Sequence, residues 1–213
     1  RRRATANRIL TVLKAGLNHA HHNGRIVSKA AWESVKPFRE VDVPKVRYLS
    51  DAEAKRLTNA CPADLRSMVV AALLTGCRYS ELAEMRAGDF NAEARVVTVA
   101  RSKAGKARHV ALTDEGNEFF AAAVRGRKTT DRIFLRADGE PWGKSHQYRP
   151  ITDASAAARI TPAVGFHVLR HTYASRLAMR AVPMAVIAAQ LGHADTRMTE
   201  RHYAHLAPNY VAD

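Results

Sequence analysis

Two β-rich runs, RVVTVA (95–100) and ARHVAL (107–112), flank Ala104 and Gly105, and almost every other patterned stretch of this chain repeats its apolar residues at helical spacing. The pair reads as one hairpin. A doubly wound sheet needs strands alternating with helices along the chain, and the strands here are too few and too scattered for that. The expected fold is therefore mainly α with a small antiparallel sheet, an α+β domain. A further strand-like triplet, Ile133, Phe134 and Leu135, precedes a turn at Asp138 and Gly139.

Local signals set the helix ends. Ile9, Leu10, Leu13 and Leu17 place one helix over 4–22, stopped at Asn23 and Gly24. A lone amphipathic helix cannot bury its own apolar face, so it needs partners elsewhere. Residues 24–47, with Pro37 and Pro44, read as a connector. Ser50-Asp51-Ala52-Glu53 reads as a capping box. The helix carrying Leu65, Met68, Val69, Ala72 and Leu73 ends at Thr75-Gly76, where glycine suits the left-handed position. A short helix starts near Ser80, another covers about 114–125, and the chain is helical with short breaks from about 145. Pro183 fits the first turn of a helix over 184–191 that Gly192 ends, and Asp195 or Thr196 can cap the next one.

The 213 residues are 46% hydrophobic and 25% charged, enough apolar material for a packed core. Thirty-four Lys and Arg oppose 20 Asp and Glu, a net charge of +14 that points first to nucleic acid as partner. Cys61 and Cys77 form no paired motif, which argues against a disulfide scaffold or a cysteine zinc site and suits a reducing cytoplasm. No apolar run reaches the length of a membrane span. The chain opens on Arg inside a helical pattern, so a longer parent protein is expected.

Three clusters could carry chemistry. In TGCRYSEL (75–82), Arg78 follows a glycine helix stop, and Glu81 at i+3 can hold its guanidinium; a surface arginine with a helical ion pair is the plain alternative. In FHVLRHTYASRLA (166–178), Leu169, Tyr173 and Leu177 share a core-facing stripe. His167 and Arg170 sit about 60° apart beside it, a pairing suited to an anionic oxygen. His167 and His171 share the i, i+4 spacing of helical zinc sites, but no carboxylate completes a ligand set, so no metal is expected. The third cluster is LGHADTRMTERHYAHL (191–206), where Tyr203 stands among Arg201, His202 and His205 rather than aliphatic neighbours.

Taken together, Arg78 in TGCRYSEL, Lys103 in the hairpin, His167 and Arg170 in HVLRHT, His193 in LGH and Tyr203 resemble the signature of the tyrosine recombinases, the phage-type integrases. The likeness runs from about Tyr48 to about Pro208. It implies the tyrosine recombinase catalytic-domain fold over 48–213, with 1–47 as the last helix of a truncated core-binding domain plus the interdomain linker. It implies that Arg78, Lys103, His167, Arg170, His193 and Tyr203 are catalytic, with Glu81 in support. The interval from His193 to Tyr203 is one residue longer than in many members, with His202 at the usual offset. Tyr203 keeps the Tyr-Ala-His context, and Tyr210 falls too late. Lys106 competes with Lys103 for the lysine role.

The residue types agree with that chemistry. In-line displacement at phosphorus needs negative charge neutralised and an alkoxide leaving group protonated. Two arginines can clamp the non-bridging oxygens. Tyr203 would attack to leave a 3′-phosphotyrosine, with Lys103 as acid, His167 as acid/base partner and His193 as phosphate donor. The resemblance implies no cofactor, double-stranded DNA as partner, a homo-oligomer (tetrameric on DNA in the full-length protein), no membrane, and a cytoplasmic setting on phage or mobile-element DNA. A catalytically inert DNA-binding regulator and a type IB topoisomerase are the alternatives.

Overall fold

The computed structural model describes residues 2–39, 46–100 and 107–208. The chain divides into two compact units, residues 1–45 and 46–213.

In the first unit, helix α1 (Arg2–His22) has no buried residue; Ile9, Val12 and Leu13 keep their side chains exposed. It stops at Gly24, whose positive φ of 70° lets the chain fold back on the last turn. The stretch expected as a plain connector contains a further short helix, α2 (Ala30–Glu33). Its Trp32 is buried and donates its indole N–H to Asn18 Oδ1 at 2.8 Å. The side chain of Asn7 both donates to and accepts from the Phe38 backbone, which folds 30–38 along α1.

The second unit begins with α3 (Asp51–Ala60), opened by the Ser50–Glu53 capping box. Helix α4 (Ala63–Thr75) follows, and Leu65, Met68, Val69, Ala71 and Ala72 are all buried. It ends at Gly76 with φ 64°. Helix α5 (Tyr79–Glu84) leads into a three-stranded antiparallel sheet: β1 (Phe90–Asn91), β2 (Val96–Val99) and β3 (Arg108–Ala111), in that order. Val97 pairs with Val110, and both point into the core. Helix α6 (Asp114–Val124) covers the sheet with Phe120, which lies against Phe90, Phe119 and Phe134.

The strand expected at 133–135 is not formed; the third strand is β1 instead. Ile133 and Phe134 are consecutive and both buried, which a strand's alternating faces cannot provide against one core. The Ile133 N–H donates to Met85 O, and only single bridges, Arg86 to Arg132 and Leu135 to Pro141, flank it. The segment is a buried crossing.

The remaining helices are α7 (Tyr148–Ala157), α8 (Phe166–Met179), α9 (Met184–Leu191) and α10 (Arg197–Tyr203). Helix α8 packs on α4 and joins two apolar clusters. Leu169 belongs to the large one, while Tyr173, Ala174 and Ala178 form the small one with Ile187, Leu191 and Tyr203. Arg170 stands where the two meet. Among the described residues no helix is long and apolar enough to cross a membrane.

Candidate active site

Two helix ends build the centre of the site. An α-helix leaves its last carbonyls without partners, and its C-terminus carries partial negative charge. The guanidinium of Arg170, only 4% exposed, donates from Nη1 to Gly76 O at 2.8 Å and from Nη2 to Leu191 O at 2.5 Å, so one cation serves the ends of both α4 and α9. Both ends turn at left-handed glycines. A Cβ on Gly76 would come within 2.4 Å of Tyr173 Cδ1, and one on Gly192 within 2.8 Å of Arg108 Cδ. Burial, then the charge of Arg78, holds the Arg170 guanidinium down at about 10, still fully ionised at neutral pH. Arginine has five N–H donors, so further donors remain for a ligand. The sequence placed Arg170 at the edge of a buried stripe; the structure buries it.

Arg78 precedes α5 and is 37% exposed in its side chain. Its Nη1 donates to Glu81 Oε1 at 2.8 Å, and its backbone N–H to Oε2 at 2.7 Å, so Glu81 fixes both ends of the residue. A second arginine, which the sequence reading missed, completes this arrangement. Arg108, the first residue of β3, donates from Nη1 and Nη2 to the two oxygens of Glu81 at 2.9 and 2.7 Å, and from Nε to Gln190 O at 3.0 Å. Burial opposes ionisation of Glu81, but the hydrogen bonds from Arg108 and from the Arg78 backbone outweigh it and hold the carboxyl at about 2. The available signal was an arginine at an inward position of the alternating RHVA strand.

The histidines gather around these cations. His167 is exposed, and its ring lies 4.4 Å from that of His171, edge to face. His193 is half-buried with Nδ1 2.8 Å from Thr199 Oγ1. Burial together with the charges of Arg170 and its neighbours lowers all of them, His171 and His193 to about 4, so these imidazoles are neutral at pH 7. Three guanidiniums against one carboxylate thus leave a local excess of two positive charges. A pentacoordinate phosphorus transition state of a diester carries a complementary double negative charge.

Tyr203 closes α10 and differs from its expected setting. It is 2% exposed and packs with Tyr173, Ala174, Ile187 and Leu191, so aliphatic groups and not only cations surround it. Its hydroxyl lies 2.5 Å from Nδ1 of His171, a residue that had entered only as half of a rejected zinc spacing. Burial pushes the phenol up to about 12, with Arg170 opposing. Asp195, one of the two expected caps, accepts from the N–H of Arg197 at 3.0 Å and positions the start of α10. Lys103 and Lys106 lie outside the described residues. Among the described residues no group of three His, Cys, Asp or Glu is arranged to hold a metal ion, and Cys61 and Cys77 are buried free thiols.

Helices around a small sheet, with arginines from α8 and β3 reaching the C-terminal ends of α4 and α9, define a tyrosine recombinase catalytic-domain fold. Residues 47–209 match the model of the phage integrase family, and the chain belongs to that family. It is 31% identical to the integrase of Salmonella phage P22 across 99% of its own length and 56% of that protein, so it spans little more than half of this relative. The catalytic domain of bacteriophage HP1 integrase has a similar structure, with 29% identity, a TM-score of 0.62, and coverage of 78% of this chain and 91% of that one. The Tn1549 transposon integrase in complex with circular intermediate DNA shares the fold at 20% identity, with a TM-score of 0.74 over 95% of this chain and 76% of the other.

Proposed function

We propose that this chain is the catalytic part of a site-specific DNA recombinase that cuts and rejoins strands through a 3′-phosphotyrosine. The observation that carries it is the convergence of Arg170, Arg78 and Arg108 on one carboxylate and two helix ends, with neutral histidines and Tyr203 beside them. Such a site has cations preorganised for a phosphodiester.

In the mechanism, the free donors of Arg78 and Arg170 hold the two non-bridging oxygens of the scissile phosphate. His193 and His167 add neutral donors or acceptors at the same group. Tyr203 attacks in line, and the 5′-oxygen departs with a proton from Lys103. The phosphotyrosine conserves the phosphodiester's energy, so a free 5′-hydroxyl of another strand reverses the step without ATP. Residues 48–213 act as the catalytic domain, and residues 1–47 as the end of a DNA-clasping domain and its linker. The partner is double-stranded DNA in the cytoplasm, bound by a tetramer of the full-length protein.

The test uses nicked duplexes with randomised core sequences, and covalent adducts recovered under denaturing conditions are sequenced. The expected result is an adduct on a defined core that Tyr203→Phe abolishes and Tyr210→Phe retains, and joining of two marked duplexes by the native chain. Adduct without joining would point to strand relaxation, and no adduct to a DNA-binding regulator.

A further inference from the structure

Resting on the assignment of Tyr203 as nucleophile, we propose that His171 is the base that takes its phenolic proton. The phenol needs one: held at about 12, only about one molecule in 10⁵ is ionised at pH 7. Four histidines are near. His193 commits Nδ1 to Thr199, and His202 has a buried Nδ1 with no partner. His167 is exposed and stands edge to face with His171. His171 alone among them has a ring nitrogen at hydrogen-bond distance from the Tyr203 oxygen, 2.5 Å. It follows Arg170 directly on α8, so the rigid helix that presents the phosphate clamp also presents the base.

The groups facing His171 are His167 and Arg170 on α8, His202 on α10 and His193 in the turn before it. Burial and these neighbours disfavour the imidazolium, which keeps Nδ1 free to accept at neutral pH with the ring proton on Nε2. In the step, the Tyr203 O–H bond breaks as the oxygen–phosphorus bond forms, and the proton passes to Nδ1. The phosphorus–5′-oxygen bond breaks, and that oxygen takes the proton of the general acid. On rejoining, the imidazolium returns its proton to the departing phenol.

The experiment measures single-turnover cleavage of the nicked duplex recovered above, built with a bridging 5′-sulfur so that the leaving group needs no acid. His171→Asn keeps a polar atom near the Nδ1 position but cannot act as a base. Its rate should fall about 10²–10⁴-fold at pH 7 and rise with pH as hydroxide replaces the base, while the native rate stays level. DNA affinity should be unchanged, and the variant should remain folded at the assay temperature. A native-like rate and pH profile in His171→Asn, with Tyr203→Phe still dead, overturns the proposal alone; loss of the Tyr203-dependent adduct in the native chain overturns the underlying assignment with it. A faster His171→Asn also overturns it and makes the hydrogen bond a restraint on the tyrosine. Should that variant fail to fold, the native chain decides: cleavage slower in D₂O supports proton transfer from the phenol, and equal rates refute it.

Discussion

Arg108 donates two hydrogen bonds to the carboxylate of Glu81, at 2.9 and 2.7 Å, across 27 residues of sequence, and both side chains are over nine-tenths buried. That carboxylate also fixes Arg78. Glu81 therefore ties the β3 strand to the start of α5 and aims Arg78, one of the two arginines proposed to hold the phosphate.

Removing Arg108 leaves that buried carboxylate with Arg78 alone. Arg108→Ala should destabilise the protein by about 3 kcal/mol, since breaking one side of a buried pair strands the other charge. Arg108→Lys should recover only part, because it lacks the fork. Arg95→Ala, which breaks an exposed pair with Asp114, should cost about 0–1 kcal/mol. Urea unfolding midpoints of the three variants compare these directly.

Acid should loosen the site before it touches Glu81. His171 and His193 have ordinary values of 6.5 and are held at about 4 in the folded protein, by burial first and by neighbouring His167 and Arg170 respectively. Between these values the unfolded chain binds protons that the folded chain refuses. Their contribution to stability is complete above pH 6.5 and is lost as pH falls toward 4. The Glu81 contribution, complete above about 4.5, is lost lower, toward 2. Thermal melts should drop by several degrees from pH 7.5 to 5, and His193→Gln should flatten that slope.

In the proposed mechanism the two lysines of the SKAGK segment separate by leaving group. Lys103→Ala should lose about 10²–10⁴ in cleavage of an ordinary phosphodiester, the usual effect of removing a general acid. A bridging 5′-sulfur, whose thiolate leaves without help, should restore it. Lys106→Ala should show neither effect, and Arg170→Ala should not be rescued, because its charge acts on the non-bridging oxygens. Rescue of Lys106→Ala instead would exchange the two roles.

In the proposed mechanism guanidiniums neutralise the phosphate oxygens, so cleavage should proceed in EDTA. Loss of activity that zinc or magnesium restores would refute this. Binding to the same duplex should weaken steeply between 50 and 200 mM salt as phosphate contacts release counterions, read as a linear fall of log affinity with log salt.

The sequence alone determined the features that a few neighbouring residues decide. The Ser50–Glu53 box, the glycine ends at Gly76 and Gly192, the Arg78–Glu81 pair and the paired strands 96–99 and 108–111 are set within one or two turns of chain or by simple alternation. Arg78, His167, Arg170, His193 and Tyr203 were chosen through residue types in a known order, and the fold brings them into one neighbourhood, where their roles are proposed. What tertiary structure decided involves partners far apart along the chain. Ile133 and Phe134 carry β-type residues, yet they are buried side by side as a crossing because the core needs both. Arg108 was an ordinary basic strand residue until Glu81 and the end of α9 closed on it. Tyr203 had cations beside it in sequence, but packing of α10 on α8 and α9 gave it an apolar cage and the imidazole of His171. Local backbone preferences act over three or four residues; the burial that sets a side chain's charge and partners exists only once distant helices have met.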